Sequence, residues 1–195
     1  MDLGLEGKVA IVTGGSDGIG KAAAISMASE GAKVAIVGRT QSKLDDAVAE
    51  IKKASGGEAI GFAADVSVES DVKAMVEKVV AEYGKLDILV NNAGTSSATT
   101  LENMTDDDLK VDFGIKVYGA VYCARAALPH LKKSGAGAIV NTTTPGGKAP
   151  NPGGQPTSLS RAAGISLTKS WAGELAKDNI RVNTVCVGVL KSGQH

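Results

Sequence analysis

The stretch Lys8–Gly20, KVAIVTGGSDGIG, decides the fold. Val9, Ile11, Val12 and Thr13 form the short β-branched run that a buried parallel strand needs. Gly14, Gly15, Gly18 and Gly20 follow at once, and an Ala-rich helical run begins behind them. A strand, a glycine turn and a helix N-terminus together make a place for a diphosphate. The glycines let the backbone come close, while the first helical N–H groups and the helix dipole favour negative charge. The stretch therefore predicts dinucleotide binding.

The rest of the chain repeats the pattern. Helical spacing is expected over 19–30, 41–54, 67–83, 106–133 and 157–177, and strands over 33–37, 59–64, 86–90, 138–141 and 180–187. The helix 106–133 has an acidic start and a basic end, the polarity that the helix dipole prefers. The loop Pro145–Pro156 holds four of the five prolines and is expected to be non-helical. Alternation of strand and helix predicts an α/β protein: a doubly wound parallel sheet of about six strands, Rossmann in type, with ligands beyond the carboxyl ends of the strands. No linker interrupts the pattern, so residues 1–195 read as a single domain.

Composition narrows the function. Lys+Arg and Asp+Glu both number 21, so the zero net charge gives no electrostatic footprint for nucleic acid or membrane. Cys123 and Cys186 lack a metal-ligand spacing and lie in apolar runs, where two reduced core thiols are expected. The start MDLGLEG has none of the regions of a signal peptide and no 18-residue apolar span exists, so the expected compartment is the cytoplasm.

Four motifs in order resemble the classical short-chain dehydrogenase/reductase family, over nearly the whole chain. They are Thr13-Gly14-x-x-x-Gly18-Ile19-Gly20, Asp65-Val66, Asn91-Asn92-Ala93-Gly94, and Ile180-Arg181-Val182-Asn183 followed by Val187-Gly188. The resemblance implies hydride transfer between NAD(P)H and a carbonyl or secondary alcohol. It implies cofactor contacts at Gly14, Ser16, Gly18, Ile19, Gly20, Asp65, Val66, Asn91, Ala93, Gly94, Arg161, Gly188 and Val189. At the end of the second strand an acidic residue would bind the ribose hydroxyls and repel a 2′-phosphate, but Gly38-Arg39 stands there. A guanidinium suits a phosphate, so NADP(H) is favoured over NAD(H), with Asp17 in the glycine loop weighing the other way.

The family's catalytic groups are a Tyr acid/base, a Lys four residues later, a Ser and an Asn. By alignment on the loop and the following helix, these positions hold Thr157, Arg161, Thr144 and Lys116. Thr144 keeps a hydroxyl and Arg161 keeps a charge, but Thr157 has no phenol and titrates far too high to act near neutrality. Tyr118 is about 200° round the helix from Lys116 and cannot stand in. Lys116 has two readings: a depressed-pKa proton donor or anion holder if it shares a site with Arg161, or a side chain that snorkels to solvent. The resemblance also implies a substrate lid, a further helix and a seventh strand beyond the sixth, where Val187 replaces the usual Pro. Without them the sixth strand is an exposed edge. A homo-oligomer through helices 106–133 and 157–177 is expected. Three readings stand: a weak NADP(H)-dependent oxidoreductase acting on a small carbonyl or alcohol, a dinucleotide-binding pseudoenzyme serving as sensor or subunit, and an altered or truncated inactive reductase.

Overall fold

The computed structural model of the chain describes residues 3–188. Its six parallel strands are β1 (Val9–Thr13), β2 (Lys33–Gly38), β3 (Ala59–Ala63), β4 (Ile88–Asn91), β5 (Ala138–Thr143) and β6 (Arg181–Cys186). They lie in the order β3-β2-β1-β4-β5-β6. The order reverses direction between β1 and β4, the switch point at which a doubly wound sheet opens a crevice. β1 is buried at every residue, as its β-branched run requires.

Helices α1 (Gly18–Ser29) and α2 (Gln41–Ser55) pack on one face around Val12, Ile36, Leu44 and Ile51. On the other face α3 (Glu69–Tyr83) and α5 (Gly119–Ser134) pack around Ile11, Met75, Leu89 and Leu131, and α6 (Thr157–Leu175) lies over β5 and β6. Gly56, Gly84 and Gly135 end α2, α3 and α5 in the left-handed conformation. Among the described residues, no helix is long and apolar enough to cross a membrane.

The elements fall where the periodicity puts them, with shifts of a residue or two at their ends. The expected single helix 106–133 is built in three pieces: α4 (Asp106–Phe113), a π-helical turn (Gly114–Tyr118), and α5. A capping box, Thr105 with Asp108, starts α4. Pro129 sits inside α5 and is exposed. The proline loop is not wholly irregular: Pro145–Gly147 forms a 3-10 turn.

One expectation is corrected. Cys123 is buried, but Cys186 is exposed. It stands at the C-terminal tip of the outermost strand, which among the described residues is flanked by β5 on one side only; only Val182 of β6 is buried.

Asp87, just before β4, ties the bottom of the sheet together. Its carboxylate accepts from the Val9 N–H (2.9 Å) and the Ser134 hydroxyl (2.8 Å), with Lys85 at 3.1 Å. Burial pushes its pKa up, but these donors outweigh burial and hold it below the ordinary 3.8. Its contribution to stability is therefore complete above the unfolded-state pKa and is lost as pH falls through the lower folded value. Asp87→Asn is expected to flatten the acid limb of a urea-midpoint-against-pH curve below about pH 4. An unchanged acid limb would contradict this.

Candidate functional site

The crevice is built from the end of β1 upward. Gly14 has φ +65°, and a side chain there would lie 3.0 Å from the Ala93 Cα; a side chain on Gly20 would collide with the Gly14 carbonyl oxygen. Only glycine permits this approach of turn to β4. Thr13 locks it, donating through Oγ1 to the Val90 carbonyl (3.2 Å) and accepting from the Asn92 and Ala93 N–H groups (2.9 and 3.1 Å). The Asn92 amide donates back to the carbonyls of Thr13 and Gly14. Asp17 caps α1 by accepting from the Gly18 N–H (2.7 Å), which gives that loop carboxylate a structural task.

A cleft of about 520 Å³ runs from this turn to the start of α6. Gly14, Ser16, Gly18, Ile19, Gly94, Thr144, Thr157, Arg161 and Gly188 line it, so much of the expected site is brought together. Gly20 is buried and serves the close packing of the turn. Val189 lies outside the described residues. Asn91 does not face the cleft: its amide donates to Asn141 (2.9 Å), which donates to Thr168 (2.9 Å), a buried chain joining β4 and β5 to α6. Val66 is buried against Gly119, and with Ala93 it borders a cavity of about 20 Å³ beneath the cleft.

Arg39 is exposed at the end of β2, and its field reaches Asp65 at the end of β3. The Ser67 hydroxyl (2.6 Å) holds the Asp65 carboxyl below its usual range against the opposing effect of burial, helped by the Ser67 amide and Arg39. Ser16 adjoins the same strand end, since a side chain on Gly38 would lie 3.5 Å from its hydroxyl.

The four substituted catalytic positions meet at the other end of the cleft. Lys116, in the π-helical turn, neither snorkels nor reaches solvent. Its side chain is 1% exposed and paired with the fully buried carboxylate of Asp112, one helical turn back. Lys116 Nζ also donates to Thr157 Oγ1 (3.1 Å), which accepts from the Ser97 N–H (3.0 Å) as well. Ser160 Oγ donates to Asp112 (2.5 Å). Arg161 turns inward: Nη1 donates to the Thr142 carbonyl (2.6 Å), and Nη2 lies 2.9 Å from where a side chain on Gly94 would begin. Burial lowers the pKa of Lys116, Asp112 raises it, and Arg161 lowers it again; the net direction is downward. Burial likewise lowers Arg161, against the pull of Asp112.

Sequence reasoning missed Asp112 and Ser160. The i,i+4 spacing of Asp112 and Lys116 inside the apolar run VDFGIKVYG was a usable signal, because two opposite charges on one buried face have to meet.

Residues 8–194 match the short chain dehydrogenase family, to which the chain belongs. It is 37% identical over 190 residues to a 3-oxoacyl-[acyl-carrier-protein] reductase of Thermotoga maritima, covering 96% of this chain and 76% of that protein. Among solved structures, it is similar to L-sorbose reductase from Gluconobacter frateurii complexed with NADPH and L-sorbose. That match has a TM-score of 0.95 and 36% identity, over 99% of this chain and 73% of the other. A 3-ketoacyl-(acyl-carrier-protein) reductase from Brucella melitensis complexed with NADH is similar with a TM-score of 0.92 and 34% identity, over 97% of this chain and 78% of the other.

Proposed function

We propose that this protein binds a nicotinamide dinucleotide, NADP(H) in preference to NAD(H), and carries out the family's carbonyl–alcohol chemistry only weakly. The observation that carries the binding half is the Gly14–Gly20 turn, pressed against β4 and opening into the cleft. These residues fit a dinucleotide: two glycine positions admit no side chain, and the start of α1 faces the diphosphate position. Ser16 and Arg39 at the end of β2 supply donors for a 2′-phosphate.

A bound dinucleotide supplies or takes up the hydride. The chain's own part is to hold the substrate oxygen and manage its proton. The Thr144 hydroxyl, which makes no hydrogen bond among the described residues, lines the cleft where it can donate to that oxygen. Thr157 offers an aliphatic hydroxyl where the family uses a phenol, and loss of a positioned acid/base costs about 10²–10⁴ in rate. The second reading, a cofactor-binding sensor or subunit without turnover, rests on this same substitution.

Titration of the full chain with NADPH and NADH, read by the emission of the reduced nicotinamide, tests the proposal. NADPH is expected to bind more tightly. Arg39→Asp is expected to weaken NADPH by about 10- to 100-fold, the worth of charge-assisted hydrogen bonds, and to leave NADH little changed. Equal affinities in both proteins would contradict the preference.

The α4–α5 surface exposes Val111 (57%) and Tyr118 (55%), with Tyr118 stacked on Tyr122. This apolar face supports a homo-oligomer through α4–α5 and α6. Light scattering is expected to give at least a dimer at micromolar concentration; a monomer would contradict it.

A further inference from the structure

The hydroxyl of Thr157 is held in a way its residue type alone does not suggest. Two N–H donors, Lys116 Nζ at 3.1 Å and the Ser97 amide at 3.0 Å, converge on its oxygen and occupy its acceptor capacity. What remains is its O–H. Among the described residues that hydrogen has one acceptor, Asp112 Oδ1, at the outer limit of 3.5 Å and already engaged by Lys116. Thr157 lines the cleft. Its hydrogen is thus free to point at a ligand oxygen, with a buried ammonium directly behind it.

We propose that Lys116 and Thr157 form a two-step proton relay that replaces the missing phenol, with Asp112, Ser160 and the Ser97 amide as positioning groups. The proposal rests on the cofactor reading above. As the carbonyl carbon accepts a hydride from the reduced dinucleotide, the C=O π pair moves onto oxygen. That oxygen takes the Thr157 proton, and Thr157 Oγ takes one from Lys116 Nζ. A neutral amine is left, and once product has gone a proton returns to it from the cleft along the same path, through the Thr157 hydroxyl. The charged and titratable groups around Lys116 are Asp112 on α4, Arg161 on α6 and the Cys123 thiol across the small cavity. Burial and Arg161 favour proton release, while Asp112 retains enough of the charge to keep the ammonium loaded. An ordinary surface lysine would hold its proton too tightly for the task.

The test uses the full chain with NADPH and 2,3-butanedione, following NADPH oxidation in single turnovers. Thr157→Ser, which keeps the hydroxyl, is expected to stay within about threefold of wild type. Thr157→Val and the charge-removing pair Lys116→Met with Asp112→Leu are expected to lose about 10²-fold or more at unchanged NADPH affinity. The wild-type rate is expected to fall as pH rises through the Lys116 pKa. An independent readout needs no turnover: with [13Cε]lysine labelling, one lysine resonance is expected to titrate below all the others, and lower still in Thr157→Val, which removes an acceptor from the ammonium. Wild-type rates in Thr157→Val, a Lys116 that titrates with the surface lysines, or no oxidation of bound NADPH by the wild type would each overturn the relay while leaving cofactor binding standing. Failure of NADPH to bind would overturn the cofactor reading itself.

Discussion

Replacing Asp112 by alanine is expected to destabilise the fold by about 3–5 kcal/mol, a large share of the about 5–15 kcal/mol available to a domain. Asp112 is 1% exposed and accepts from both Lys116 and Ser160, with Thr157 at 3.5 Å. Its removal strands an ammonium and a hydroxyl where water does not reach, and leaves Lys116 facing Arg161 with no anion between them. The penalty is one of charge, so it eases as pH rises and Lys116 gives up its proton. Coupling Asp112→Ala to Lys116→Met is expected to recover most of the loss, because a buried pair removed whole costs far less than one broken in half. Urea unfolding at two pH values measures both effects. A single-variant loss below about 1 kcal/mol would contradict the buried pairing.

Installing the family's own pair, Thr157→Tyr with Arg161→Lys, is expected to raise NADPH-dependent reduction of 2,3-butanedione by about 10²–10⁴-fold. Position 157 lines the cleft, and Lys116 lies behind it, so a phenol there meets a cation that favours its ionised form. Arg161 is bound to the Thr142 carbonyl and folded against Gly94. The shorter donor set of lysine frees that corner of the cleft. Steady-state rates with tight NADPH binding confirmed in parallel decide the outcome. No gain would contradict the view that residue 157 limits the chemistry.

The fold was legible because its signals are local. Val9–Thr13 carries a strand's composition, Gly14–Gly20 carries a turn's, and helical spacing over residues 41–54 places Leu44, Ala47 and Ile51 on one buried face. The phosphate end of the site was legible for the same reason, since turn chemistry is set by neighbours in the chain. The catalytic end was not. Lys116 aligns with an asparagine position, and beyond its i,i+4 spacing to Asp112 nothing local marks the pair as buried, because burial comes from α6 packing across the π-helical turn, more than forty residues away in the chain. Asn91 reads as a cofactor contact from its motif, and nothing in that motif shows that its amide N–H donates to Asn141, a partner on the neighbouring strand. Cys186 lies in an apolar run, and its place on the outer strand, where only Val182 is buried, exposes it. Long-range partners and sheet edges are properties of topology, which residue spacing along one segment does not record.

The central claim is that a dinucleotide lies across the carboxyl ends of β1, β2 and β4. Hydrogen–deuterium exchange of the full chain with and without NADPH tests it most directly. Slower exchange is predicted at residues 14–20, 38–40 and 91–96, with the rest of the sheet little changed. No protection at millimolar NADPH, or protection confined to segments away from the Gly14–Gly20 turn, would contradict the account.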